Sequence, residues 1–156
     1  IGRAIAAALG RRGARVIVSS RKAAAVDETV NWLRGLGVSA DGVPANVGRL
    51  EEGQTLVDAS LALAGGVDIL VNNAATNPVF GPVEQTSPEA FAKIMDVNVR
   101  APFEIAKGLL SSMKARGGGA VVNISSIGGM APETGRGGSR GREAAAASLT
   151  RVVGKE

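Results

Sequence analysis

The chain has 156 residues, 45% of them hydrophobic and 22 of them glycine, enough for one domain with a real core. It has no cysteine and no histidine, which excludes a disulfide framework, a thiolate metal site and the commonest general base. The net charge of +4 is scattered rather than gathered into a stripe, which argues against a nucleic-acid surface, and no apolar run approaches the length of a membrane span.

Ile1, Ile5 and Leu9 recur at helical spacing and predict an apolar stripe on a helix that Gly10 and Gly13 stop. The β-branched run Val16-Ile17-Val18, within 15–20, predicts a buried strand. Val26, Val30 and Leu33 predict a helix over 23–35, punctuated by Gly35 and Gly37. A weaker strand is expected over 38–43, then a helix over 50–63 ended by Gly65-Gly66, then a strand over 68–72 buried on both faces. A loop carrying Pro78 and Pro82 follows, and Ser87-Pro88 supplies an N-cap with proline at the first helical position. The helix after it runs through Phe91, Ile94, Met95, Asn98, Ile105, Leu109 and Met113, and Pro102 is expected to kink or divide it. Gly117-Gly118-Gly119 ends that helix ahead of a strand over 120–124. Helix and strand alternate with short connections, so the fold class is α/β, a doubly wound parallel sheet with helices on both faces. Such sheets bind ligands beyond the carboxyl ends of their strands.

Three strand ends carry unusual chemistry. Ser20-Arg21-Lys22 offers a hydroxyl and two cations that suit a phosphate, although taken alone the triplet reads more simply as a solvated turn before a helix. Asn72-Asn73-Ala74-Ala75 suits a turn whose amides tie down backbone while a ligand approaches, and an ordinary Asx-type turn is the plain alternative. Ser125-Ser126-Ile127-Gly128-Gly129 places hydroxyls before a flexible glycine pair, as either a turn or a site.

Taken together at these spacings, the motifs resemble the short-chain dehydrogenase/reductases over essentially the whole chain. Gly2 matches the last glycine of that family's TGxxxGxG cofactor loop, and Asn72-Asn73-Ala74-Ala75 its NNAG motif with Ala75 in the final glycine position. Asn98, in Asp96-Val97-Asn98-Val99, matches the family's catalytic-helix Asn, and Ser126 its catalytic Ser. Val18-Ser19-Ser20-Arg21-Lys22, Asn46-Val47-Gly48 and Asn73-Ala74-Ala75-Thr76-Asn77-Pro78 look more narrowly like an NADP-dependent carbonyl reductase/retinol dehydrogenase subgroup. The resemblance implies a Rossmann-type domain and a hydride transfer between NADP(H) and a carbonyl or alcohol substrate. It places Ile1 and Gly2 at the cofactor pyrophosphate, and Ser20, Arg21 and Lys22 at the 2′-phosphate of NADP. Asn46 and Val47 would line the adenine, and Asn73, Ala74 and Ala75 the adenosine ribose and nicotinamide side. Ser126 would hydrogen-bond the substrate carbonyl, and Asn98 would hold a water in the proton relay. NADP(H) is expected in preference to NAD(H), because no acidic residue ends the first visible strand. The resemblance further implies a homo-oligomer built on the long helix after Ser87 and the helix following Glu143. Composition and charge point to no nucleic-acid partner and no metal, and the sequence leaves the compartment open between cytoplasmic and peroxisomal.

The pattern fails at two positions. The family carries a Tyr thirteen residues after the catalytic Ser and a Lys four residues beyond it, and here these positions hold Ser139 and Glu143. A serine hydroxyl is a far weaker acid than a phenol, and a carboxylate at 143 repels an oxyanion. No other Tyr exists in the chain. Residues 136–147 read RGGSRGREAAAA, and the family pattern resumes in register at Ser148-Leu149-Thr150-Arg151. Two compensating frameshifts would leave such a scramble, and divergence into a pseudoenzyme is the competing explanation. Measured against the family, 1–156 is expected to be a single partial dinucleotide-binding domain. The first strand and most of the glycine loop would lie before Ile1, and the last strands and substrate segment after Glu156. Without that first strand, its neighbours are expected to show unpaired edges.

Overall fold

The structure, a computed structural model, describes residues 1–79, 83–126 and 150. It runs α1 (Gly2–Gly10), β1 (Val16–Val18), α2 (Ala23–Gly35), β2 (Ala40–Gly42), α3 (Leu50–Ala64) and β3 (Ile69–Asn72). A short 3-10 turn (Val83–Gln85) then leads into α4 (Pro88–Met95), a π turn (Asp96–Arg100), α5 (Ala101–Ala115) and β4 (Ala120–Asn123). Pro82, Ser139, Glu143 and residues 136–147 lie outside the described residues.

The strands pair in parallel, β1 with β2 from Val16 opposite Ala40, and β3 with β4 from Ile69 opposite Ala120 to Asn72 opposite Asn123. Side-chain alternation sorts the helices onto two faces. Val16 and Val18 point into a core of Ala7, Val26, Val30, Leu33, Val38 and Ala40, which α1 and α2 cover. Ile17, between them, points the other way, against Val43, Ala45, Leu56, Val57, Ile105 and Leu109 under α3 and α5. Leu70 of β3 and Val121 of β4 join that second face. Helix α2 occupies the predicted span because Val26, Val30 and Leu33 bury one stripe, two of them completely. Helix α3 ends at Gly65, whose φ of 69° lets its N–H reach back to the Leu61 carbonyl.

The predicted burial of β1 and β3 is corrected. Each residue of β1 is only half-buried, and Ile69 at the head of β3 is 45% exposed. Among the described residues the two pairs form separate sheets, and no ladder joins β1 to β3. Each inner strand therefore has a hydrogen-bonded neighbour on one side only, which is why strands of this apolar composition stay half-open. The Ile1, Ile5 and Leu9 stripe is also corrected. Ala7 is the buried residue of α1, Ile5 and Leu9 are half-buried, and Ile1 is 86% exposed.

Ser87 caps α4 as predicted, its Oγ accepting from the Ala90 N–H at 3.2 Å, with Pro88 following. Pro102 divides the long helix, and the division takes the form of a π turn immediately ahead of it. Proline has no N–H to give the Asn98 carbonyl four residues back, and its ring crowds that carbonyl. Asn98 also takes the Ile94 carbonyl with its own side chain, Nδ2 donating at 2.8 Å, which competes with the regular ladder.

Candidate dinucleotide site

Parallel pairing continues past the strands and brings their following loops together at one edge. Val43 donates to Val18 and Ala45 to Ser20, at 2.9 and 3.0 Å, so Ser20-Arg21-Lys22 lies beside Asn46-Val47. In the other pair, the Ile124 N–H donates to the Asn72 carbonyl at 2.9 Å, which sets the loop starting at Asn73 beside Ser125 and Ser126. Both serines are exposed.

The start of α1 meets this edge at Asn73. A Cβ added to Gly2 would stand 2.8 Å from Asn73 Nδ2 and 3.2 Å from its Cγ, so a side chain there would have to displace the Asn73 amide. The Ile1 side chain gives α1 no cap, and the first turn carries no acidic residue. The helix start therefore offers N–H groups and the positive end of its dipole to an anion.

Arg21 and Lys22 are exposed, and neither forms an ion pair among the described residues. Lys22 is the N-cap of α2, whose first turn has no acidic residue. A cation at a helix N-terminus is electrostatically disfavoured on its own, and a bound anion would satisfy both charge and dipole. These residues fit the phosphate groups of a dinucleotide.

The loop 46–49 is held by its own chemistry. Asn46 Oδ1 accepts from the Gly48 N–H at 3.2 Å, and the Asn46 N–H donates to Glu52 Oε2 at 2.6 Å. Glu52 sits at the third position of α3, where a carboxylate satisfies free N–H groups and complements the helix dipole. Its other oxygen accepts from Arg49 at 3.2 Å.

Asn98 is buried, and its amide is spent on backbone. Nδ2 donates to the Thr76 and Ile94 carbonyls at 2.9 and 2.8 Å, while Oδ1 accepts from the Thr76 N–H at 2.9 Å. Both amide donors are used, so the side chain holds the loop that follows Asn73 rather than a mobile ligand.

Asn72 Nδ2 donates to Asn123 Oδ1 at 2.8 Å, and Asn123 Nδ2 donates to Thr150 Oγ1 at 2.8 Å. Sequence reasoning gave no role to Thr76, Gly48, Glu52, Arg100, Asn123 or Thr150, all of which hold the loops in place. The one local signal was Glu52, three residues after the N-cap of α3. Among the described residues, no helix is long and apolar enough to cross a membrane, and no cluster of acidic residues could hold a metal ion.

Parallel strands, helices on both faces and loops converging on an uncapped helix start define a Rossmann-type α/β domain. The family model described as short chain dehydrogenase matches residues 1–156, and the chain belongs to that oxidoreductase family. The narrower resemblance also holds. The chain is 45% identical over 135 residues to Dehydrogenase/reductase SDR family member 4 of Homo sapiens, covering 86% of this chain and 49% of that protein. It is 41% identical over 156 residues to the member 4 protein of Oryctolagus cuniculus, covering 100% and 60%. The chain thus spans about half the length of these curated relatives. A metagenomic short-chain oxidoreductase solved in complex with NADP superposes with a TM-score of 0.93 at 25% identity, over 99% of this chain and 70% of that one. An actinorhodin polyketide ketoreductase solved with NADPH also gives 0.93, at 32% identity, over 99% and 59%.

Proposed function

We propose that residues 1–156 are a single partial dinucleotide-binding domain that holds NADP(H) across the carboxyl edge described above. The parent reaction is hydride transfer between that cofactor and a carbonyl or alcohol substrate of ketone, dicarbonyl or retinoid type. The observation that carries the reading is the close approach of Gly2 to the Asn73 side chain at the start of α1, which has no side-chain cap and no acidic residue in its first turn. The NADP and NADPH complexes of the two structural neighbours support the choice of cofactor.

Bound NADP(H) would supply or accept the hydride. Gly2 leaves the helix start open to the pyrophosphate, and Arg21 and Lys22 with Ser20 receive the 2′-phosphate. Asn46 and Val47 flank the adenine, and Asn73, Ala74 and Ala75, steadied through Thr76 by Asn98, flank the ribose and nicotinamide side. Ser126 donates its hydroxyl proton in a hydrogen bond to the substrate oxygen, and the Asn98 carbonyl accepts from a water. The chain has no Tyr and no His to serve as the general acid. Ser139 and Glu143 stand where a phenol and an ammonium are needed, so the chain as written binds dinucleotide and turns substrate over poorly. Those two residues also favour a second reading, in which the chain is a non-catalytic dinucleotide-binding protein that pairs with an intact paralogue. Self-association in the first reading would use the long helix after Ser87 and the helix following Glu143, and pairing with a paralogue in the second would use the long helix.

The test is to titrate NADPH into the purified chain, and to assay reduction of a dicarbonyl and of retinal. Saturable NADPH binding with no reduction above background is expected, and Ser139→Tyr with Glu143→Lys should raise turnover by roughly 10²–10⁴-fold. No NADPH binding at millimolar concentration would overturn the reading, and robust reduction by the unaltered chain would overturn the impairment. A second titration, with an intact paralogue as bait, separates the two readings.

A further inference from the structure

The π turn Asp96–Arg100 touches both loops assigned above to the cofactor. On one side Asn98 grips the backbone of Thr76 through two hydrogen bonds of 2.9 Å. On the other, Arg100 Nη2 donates to the Gly48 carbonyl at 3.2 Å and pairs with Asp96 Oδ1 at 3.2 Å. Val97, between them, packs on the same glycine. A Cβ at Gly48 would stand 2.8 Å from Val97 Cγ2 and 3.3 Å from Asn46 Oδ1. The widened turn therefore presents Asn98 to the loop following β3 and Val97 with Arg100 to the loop following β2.

We infer that Arg100 is a positioning residue for the adenosine half of the cofactor. It holds the Gly48 carbonyl, and through it the Asn46-Val47 segment, at a distance from the Thr76 loop that the π turn sets. The inference rests on the proposed function, because it assumes that these two loops bind opposite halves of one dinucleotide. A purely structural role is the competing account. The Arg100 side chain is 45% exposed, and pairs of that kind contribute little to folding. A role in spacing the loops would therefore register in ligand affinity and leave stability nearly untouched.

The experiment measures the affinity of the full chain for NADPH and for 2′,5′-ADP, which is the adenosine half alone, together with the unfolding midpoint. Arg100→Met keeps the apolar stem and removes the donors. It is expected to weaken both ligands by about 3- to 10-fold, the net worth of one lost hydrogen bond, with an unchanged midpoint. Arg100→Lys, which keeps a donor for the Gly48 carbonyl, should bind both ligands within about 2-fold of the unaltered chain. Unchanged affinity in Arg100→Met overturns the inference. So does a loss that follows a lowered midpoint or that Lys fails to rescue. If the unaltered chain binds neither NADPH nor 2′,5′-ADP, the proposed function itself fails and the inference falls with it.

Discussion

Asn72 and Asn123 are the last register partners of β3 and β4, and their side chains continue the ladder one bond beyond the backbone, Nδ2 of the first donating to Oδ1 of the second at 2.8 Å. Asn123 then passes its own Nδ2 to Thr150. Asn123→Ala removes both bonds and should cost about 1–3 kcal/mol of stability, read from urea unfolding. Asn123→Asp should cost clearly less at neutral pH. Its carboxylate still accepts from Asn72, and the Thr150 hydroxyl can turn to donate to it. Equal losses in the two variants would show that the side-chain bonds are not what holds the strand ends.

Two glycines mark where a helix or strand lies against a valine. A methyl added at Gly10 would overlap the Val38 γ-methyls, and one added at Gly42 would overlap Val26, which is fully buried. Gly10→Ala and Gly42→Ala should each cost about 1–3 kcal/mol through overpacking. Val38→Ala makes room at the first site. The double variant Gly10→Ala/Val38→Ala should therefore be more stable than the sum of its parts predicts, and strict additivity would contradict the assigned contact.

Arg116 joins the end of α5 to the start of β3 through two hydrogen bonds to the Asp68 carboxylate, at 2.7 and 3.1 Å. These bonds, and then the guanidinium charge, hold the Asp68 carboxyl below its usual range. A group depressed on folding contributes stability that is present above its unfolded pKa of about 3.9 and is lost as pH falls through the folded value. Acidification below about pH 4 should thus destabilise the chain more than Asp68→Asn, whose unfolding midpoint lacks this component. The difference should shrink in high salt, because the pair faces solvent.

The proposed preference for NADP(H) over NAD(H) rests on Arg21 and Lys22. Arg21→Asp replaces a phosphate-binding fork with a carboxylate and should weaken NADPH by roughly 10- to 100-fold, the worth of a charge-assisted hydrogen bond. NADH, with no 2′-phosphate, should change far less. Equal losses for both cofactors in parallel titrations would refute the assignment.

Much of the scaffold was legible because local rules decide it. Val26, Val30 and Leu33 spelled out α2, Ser87-Pro88 marked the start of α4, and Gly65 ended α3. The half-open state of β1 and β3 was not legible, since strand burial depends on which neighbour pairs with each edge. Pro102 announced a break but not its kind. The π turn also needs the Asn98 amide on the Ile94 carbonyl, and nothing in apolar spacing encodes that bond. Candidate site residues were proposed by motif, whereas the residues that hold their loops were missed. Asn98 lies 22 residues from Thr76, and Arg100 lies 52 from Gly48, and neither pairing leaves a periodic trace.

A π turn winds one more residue into the helix than an α turn requires. In the arithmetic of insertions and deletions, the run from Pro88 to Ala115 is a regular helix with one residue added near Asn98. Removing a residue from Asp96–Arg100 would take out that extra residue and leave Pro102 to interrupt the ladder, with Ile105, Leu109 and Met113 still in the core under α5. The protein would keep its shape and its core. It would lose the bulge that turns Asn98 toward Thr76 and Arg100 toward Gly48, so a shortened helix would fold around a site whose two loops had been let go.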